Sequence, residues 1–407
     1  MSGAWAWVGV STVGLALSLL VTWWLHRERS FGCALTPGGR PPANAPLIAV
    51  IVPARNEARN IRRCVEALLA QDYPNYAVYV VDDCSTDATP AILAELAARE
   101  ARLTVIQASP LPPGWAGKPH ALVLGVRAAG AAAGWYCFVD ADTFARPGLL
   151  TAAYATAQAH GAALFSVFTR QALGTFWERT VMPLVFSALA VGFPPSKVND
   201  PARPEAIANG QFILIERGAY AAVGGHAALR GSVTEDKDLA EAVKRSGRRL
   251  LIADGRALVE TRMYTSLPEL WEGWTKNIYL GLQGRLGLLL FGAGVALSGA
   301  LALPGWLLAG ALWAALGGGL PAALVLAEAL LAALVIVAVR ARVSALFEIP
   351  PSYALTLPLG ALVFAAMMAT SALRGLSGRG VRWKGRVYGG PAGSEPGDAD
   401  RPTLPEP

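Results

Sequence analysis

The chain has 407 residues, 54% of them hydrophobic and 16% charged, with a net charge of +6. Its mean hydropathy is +0.40, high for a soluble protein and long enough in sequence for a catalytic domain plus membrane segments. The basic excess is small and no basic stripe carries interleaved aromatics, which speaks against a nucleic-acid partner.

In chain order, residues 5–25 form an apolar run. About 20 such residues span a bilayer. A cleaved leader fits poorly, because no Lys or Arg precedes the run and no small-residue cleavage site closes it. Arg27, Arg29 and Arg40 follow it instead. The positive-inside rule then places the N-terminus outside and the next domain in the cytoplasm. Residues 1–26 are thus expected to be an anchor.

From about 45 to 265 the pattern alternates strand and helix. Strands are expected at 47–53, 77–81, 103–107 and 135–139, with helices at 57–70, 91–99 and 118–129. This order predicts an α/β, mostly parallel, Rossmann-like sheet covered by helices. The stretch 176–195 is apolar but interrupted by Met182-Pro183 and Pro194-Pro195. A membrane-surface helix or lid and a plain core helix both fit it. A further helix is expected at 236–246.

Residues 286–339 can hold two spans, with the turn at Gly317-Gly318-Gly319-Leu320-Pro321, and 353–369 holds another. The expected C-terminal region, 286–372, therefore has three to four transmembrane helices. Three would leave the basic cluster Arg374, Arg379, Arg382, Lys384 and Arg386 outside; four would keep it inside, as its charge prefers. The last segment, 373–407, reads as this basic juxtamembrane patch followed by a disordered tail rich in Gly, Pro and acid from 389 on. Cys33, Cys64, Cys84 and Cys137 show no paired metal spacing and read as reduced thiols.

Three acidic groups carry the chemistry. Asp82-Asp83 closes the strand at 77–81, Asp140-Ala141-Asp142 closes the strand at 135–139, and Glu235-Asp236 opens the later helix. In open α/β sheets the ligand crevice lies beyond the carboxyl ends of the strands. Carboxylates there suit Mg²⁺ or Mn²⁺, held by one or two side chains plus substrate phosphates. Each group also has a plainer account. Asp87 or Ser85 can cap the helix after Asp83, and Glu235-Asp236 is a favourable charge at a helix N-terminus.

Taken together, Pro53-Ala54-Arg55-Asn56-Glu57, Val81-Asp82-Asp83-Cys84-Ser85-Thr86-Asp87, Gly117-Lys118, Asp140-Ala141-Asp142 and Thr234-Glu235-Asp236 resemble the family 2 glycosyltransferases of GT-A fold, over about residues 48–280. Gly114-Trp115-Ala116-Gly117-Lys118 and Trp383-Lys384-Gly385-Arg386-Val387-Tyr388 look like the membrane-bound branch with hopanoid-associated, carotenoid (diaponeurosporenoate-type) and ceramide glucosyltransferases. The resemblance implies a GT-A domain over 45–280. It implies that Pro53, Arg55 and Glu57 line the nucleotide pocket, that Asp83, with Asp82, holds uracil or ribose, and that Lys118 sits near the diphosphate. Asp140 and Asp142 would hold the metal, Asp142 more directly. Asp236 would be the general base, ahead of Glu235. Gln211, in Asn209-Gly210-Gln211, is a binding candidate, though a buried amide in a turn is equally plausible.

One departure is informative. Processive members carry Gln-x-x-Arg-Trp after the Glu-Asp; here the place holds Trp271-Glu272-Gly273-Trp274-Thr275-Lys276-Asn277. Trp271 and Trp274 can stack on sugar or lipid, or anchor an interfacial helix. Lys276 can assist the diphosphate. The resemblance then implies an inverting hexosyltransferase, moving sugar from a nucleotide sugar, UDP-linked by expectation, to a membrane lipid such as a carotenoid, hopanoid or sphingolipid-like acceptor. Its expected place is the inner cell membrane, multi-pass, with the catalytic domain in the cytoplasm. The competing readings are a polysaccharide synthase, a polyprenyl-phosphate glycosyltransferase, or a non-catalytic membrane scaffold.

Overall fold

A computed structural model describes residues 2–27, 32–38, 44–281, 285–377, 381–383 and 386–388. Arg29, Arg40, Arg379, Lys384 and the tail from 389 lie outside the described residues. The N-terminal helix α1 is Ser2–Arg27. The α/β region then runs β1 Ile48–Ala54, α2 Ile61–Leu69, β2 Tyr76–Asp82, α3 Thr89–Ala97, β3 Leu103–Gln107, α4 Gly117–Ala129 and β4 Trp135–Val139. It continues with β5 Thr143–Ala145, α5 Leu149–Ala159, β6 Leu164–Phe168, β7 Arg170–Gln171, α6 Phe176–Gly192, α7 Pro195–Val198, β8 Phe212–Glu216, α8 Arg217–Ala222 and α9 Gly225–Ala228. After α10 Glu235–Arg245 come β9 Leu250–Asp254, β10 Val259–Thr261 and α11 Leu267–Gly281. The membrane-type helices α12 Leu286–Ala315, α13 Gly319–Leu346 and α14 Leu357–Leu376 follow, α14 being preceded by the 3-10 turn Pro351–Thr356. The short strands β11 Val381–Trp383 and β12 Arg386–Tyr388 pair antiparallel where the sequence suggested only a basic tether.

The central sheet has seven strands in the order β3-β2-β1-β4-β8-β6-β9. Strand β1, Ile48 to Ala54, is an unbroken β-branched and small apolar run, which suits a parallel strand covered on both faces. It pairs parallel with β2 and β4, and β2 with β3. Only β8 is reversed, antiparallel to β4 and β6. That reversal brings the start of β8 to the same edge as the ends of β1, β2 and β4. Helix α4 lies close on this sheet: a Cβ at Gly125 would fall 2.4 Å from Ile51, so only glycine permits the approach. A small second sheet, β5-β10-β7, sits beside the end of β4.

Among the described residues, five helical stretches are long and apolar enough to cross a membrane: Gly3–Leu20, Phe176–Val198, Leu286–Ala315, Gly319–Leu346 and Pro351–Leu376. Three of them are C-terminal, the lower of the two counts the sequence allowed, with the α12–α13 turn at the predicted glycines. The stretch around α6 meets the length criterion too, yet its polar residues Glu178 and Thr180 are buried against protein. Helix α6 packs with α11 and α14 around Val181, Met182, Tyr264, Trp274 and Met367. Helix α1 joins α13 through Thr12, whose hydroxyl donates to Glu328 at 2.6 Å.

Candidate active site

The sequence motifs converge on one edge of the sheet, over a cavity of about 1500 Å³. The loops after β1 and β2 brace each other there. The amide of Asn56 donates to Ser85 Oγ, and that of Thr86 to Asn56 Oδ1. Arg55 donates to the carbonyl of Asp83 at 2.6 Å. Asn56 and Cys84 both hold left-handed backbone, φ 52° and 55°. Such conformations cost of order 1–3 kcal/mol and persist where surrounding bonds over-determine them, as the crossed bonds do here. Asp87 accepts from the amide of Thr89, first residue of α3, and from Ala58. The turn therefore starts a helix and shapes a pocket at once.

Pro53, Arg55, Glu57 and Asp83 line this part of the cavity. Asp82 does not. It is fully buried, and its carboxylate accepts from the amide of Ser85 and from Gln107 Nε2. Only one of the paired aspartates thus faces the pocket, because consecutive residues at a strand end point to opposite sides.

Lys118 sits at the centre. Its ammonium lies 2.7 Å from Asp140 Oδ1 and 2.8 Å from Glu235 Oε1. Burial works against that charge, but Asp140, Glu235 and Asp236 outweigh it and hold the lysine well above its ordinary range. Burial raises Asp140, with Lys118 opposing. Burial also works against a charged Glu235, but Lys118 pulls it below the usual carboxylate range. Asp236 goes the other way: burial, then the neighbouring Glu235 charge, push it up to about 6. The two adjacent acids are therefore divided, Glu235 favoured in its charged form beside the lysine and Asp236 raised toward neutrality.

Asp236 is held at the start of α10 by the amide of Gly210, which donates to Oδ2 at 3.0 Å, and by that of Lys237, which donates to Oδ1 at 2.8 Å. A Cβ on Gly210 would lie 2.8 Å from Lys118 Nζ and 3.1 Å from Asp236 Oδ2. Gly210 is therefore part of the site, which the sequence showed only as the middle of a suspected binding turn. Gln211 borders the cavity, but its carbonyl end is engaged inside the fold, accepting from Thr169, Gln171 and Asn209. The buried-amide account fits Gln211 better than a substrate contact.

Asp140 and Asp142 both reach the cavity. Among the described residues, no three His, Cys, Asp or Glu side chains group closely enough to cage a metal unaided. Two hard carboxylate donors on the cavity wall fit Mg²⁺ or Mn²⁺, which take their other ligands from phosphates and water. Lys276, on α11, lines the same cavity, and burial pushes it down to about 8.

Away from the carboxylates the cavity becomes apolar. Val185, Phe186 and Leu189 of α6, Trp271 and Ile278 of α11 and Phe364 of α14 line it there and pack around one hydrophobic cluster. Trp274 is almost buried; its Nε1 lies 3.2 Å from Met182 Sδ and its ring meets Phe186 edge-on at 6.2 Å. It belongs to the packing behind the wall, with one edge on the cavity.

A doubly flanked, mostly parallel sheet with nucleotide-type loops at β1 and β2 and an Asp-x-Asp after β4 is the GT-A fold. Residues 49–223 match the model of glycosyl transferase family 2. The chain is 30% identical over 246 residues to the 4,4'-diaponeurosporenoate glycosyltransferase of Staphylococcus aureus (strain MRSA252), covering 59% of this chain and 63% of the relative. The chain thus spans a little under two thirds of that relative's length. It superposes on the mannosyltransferase PcManGT from Pyrobaculum calidifontis, solved with GDP-Man and Mn²⁺, with a TM-score of 0.52 and 22% identity, covering 91% of this chain and 98% of that one.

Proposed function

We propose that this protein is an inverting glycosyltransferase that moves a hexose from a nucleotide sugar to a lipid in the membrane that holds it. The observation that carries the reading is the single cavity with two characters: carboxylates and Lys118 at one end, aliphatic and aromatic side chains of α6, α11 and α14 at the other. A charged donor and an apolar acceptor would meet where Asp236 stands. The name of the carotenoid relative and the nucleotide sugar and Mn²⁺ of the structural neighbour agree with it.

In this reading, Pro53, Arg55, Glu57 and Asp83 hold the nucleotide. Asp140 and Asp142 would hold Mg²⁺ or Mn²⁺, which supplies charge neutralisation of the departing diphosphate. Lys118 adds a fixed positive charge nearby and orders Asp140 and Glu235. The acceptor oxygen attacks the anomeric carbon, its proton passes to Asp236, and the bond from that carbon to the diphosphate oxygen breaks, the electron pair leaving with the nucleoside diphosphate. We assign 45–280 to the transferase domain, 1–26 and 286–372 to the membrane, and 373–407 to a juxtamembrane basic segment and tail. The inner cell membrane, with the domain on the cytoplasmic side, accords with the arginines after α1.

The test uses membranes containing the protein, labelled nucleotide sugars, Mn²⁺ and a lipid extract. Label should enter an organic-soluble product and be lost in Asp236→Asn. Label in a water-soluble polymer would point to a polysaccharide synthase, and absence of turnover with every donor would point to a scaffold.

A further inference from the structure

Pro183 interrupts α6 from within. Proline has no amide hydrogen, so the carbonyl of Arg179, four residues earlier, loses its helical partner. A membrane-type helix supplies another. Arg340 Nη2, from α13, lies 3.3 Å from the Arg179 carbonyl and 3.3 Å from that of Thr180. Arg340 is 4% exposed. Its Nε and Nη1, like the neighbouring hydroxyls of Ser344 and Thr180, have no hydrogen-bond partner among the described residues. A buried guanidinium is costly in such a setting and is retained where it has a task; here the bonds it makes go to the carbonyls at the proline break.

The break adjoins the cavity. Just beyond Pro183, α6 presents Val185, Phe186 and Leu189 to it. Phe186 in turn packs on Phe347 beyond the end of α13, centroids 5.9 Å apart. On the other side Gly360 of α14 comes so near that a Cβ would lie 2.7 Å from the Thr180 carbonyl. The proline turn of α6 is thus gripped from α13 and α14 together.

We propose that Arg340 is a positioning residue: it replaces the amide that Pro183 lacks and so fixes the α6 wall against which the acceptor lies. The inference rests on reading that wall as the acceptor side. It acts through α6 and touches no reacting atom. Losing it loosens the apolar wall and leaves the carboxylate end in place.

The full-length protein in nanodiscs provides the test. Arg340→Met keeps length and apolar bulk but removes every donor. The acceptor KM should rise about tenfold, the scale of one lost charge-assisted hydrogen bond, while donor KM and acceptor-free hydrolysis of the nucleotide sugar stay within about twofold. Pro183→Ala returns the missing amide to α6, so the double variant Arg340→Met/Pro183→Ala should recover most of the acceptor KM. Hydrogen exchange of the α6 amides, measured without substrate, should quicken in Arg340→Met and return in the double variant. That readout stands even if the enzyme transfers no sugar, so it separates failure of the clamp from failure of the functional reading. Unchanged α6 exchange in Arg340→Met would overturn the proposal, as would an equal loss of donor and acceptor kinetics that Pro183→Ala does not restore. Should Arg340→Met not insert, Arg340→Leu, likewise without donors, carries the same comparison.

Discussion

The two ends of the cavity are built by different rules. The carboxylate end is made of short turns that leave the strands of one sheet, and each turn is tied by side chain to backbone bonds: Ser85 to Asn56, Asp87 to Ala58 and Thr89, Gly210 to Asp236. The apolar end is made of three helices that meet through packing, with few polar ties, among them Arg340 to α6 and Ser371 to Thr275. Charge chemistry demands fixed distances, and bonded turns supply them. An apolar wall needs only shape, and helices supply that while leaving sequence choice wide.

The contrast can be broken most sharply at Asp236. Asp236→Asn should lower transfer by about 10²–10⁴-fold with nucleotide binding retained, measured by labelled transfer beside donor binding. The same residue sets a pH limb. Its carboxyl is raised to about 6, so it is ionised and able to accept a proton above that pH. The rate should fall about fivefold between pH 6 and pH 5 as it becomes protonated, and about tenfold for the next unit below, and the limb should vanish in the residual activity of Asp236→Asn. Chelation should cost about 10²-fold, reversed by added Mn²⁺, and Asp142→Asn should blunt that reversal. Gly210→Ala comes next: its methyl would press on Lys118 and Asp236, and kcat should drop about 10- to 100-fold through misplacement alone. The smallest effect is expected on the apolar side. Trp274→Phe keeps most of the volume behind the wall, so the acceptor KM should shift by only about two- to fivefold with kcat intact. A large kcat loss there, or a mere KM change in Gly210→Ala, would erase the distinction between the two ends.

The same contrast governs what could be read from the chain alone. The sheet and the meeting of the acidic turns at one edge were legible because strand ends, Asp-x-Asp and a helix-opening Glu-Asp leave local marks. Asp82 and Asp83 were not separable, since which of two neighbours faces the pocket depends on the strand's pairing register. Gln211 turned inward because three donors from other segments converge on its carbonyl. Gly210 was overlooked as a functional position, since its role is to be small between two side chains from distant elements. The α6 wall was legible only as apolar residues broken by prolines. What those prolines free, and that Arg340 collects it from 160 residues away, is a fact of packing.

The bond between Thr12 and Glu328 has a consequence in time. Its partners are 316 residues apart in the chain. A ribosome adding about 5–20 residues per second needs on the order of 15–60 s to bring the second after the first. For that interval the first helix must wait with its serine and threonine side chains unanswered by α13, while the whole α/β region between them is made. The N-terminal helix is therefore under two pressures at once, stable enough to wait alone and polar enough to be found. Replacing Glu328 with leucine should leave early insertion unaltered and slow only the last step of assembly.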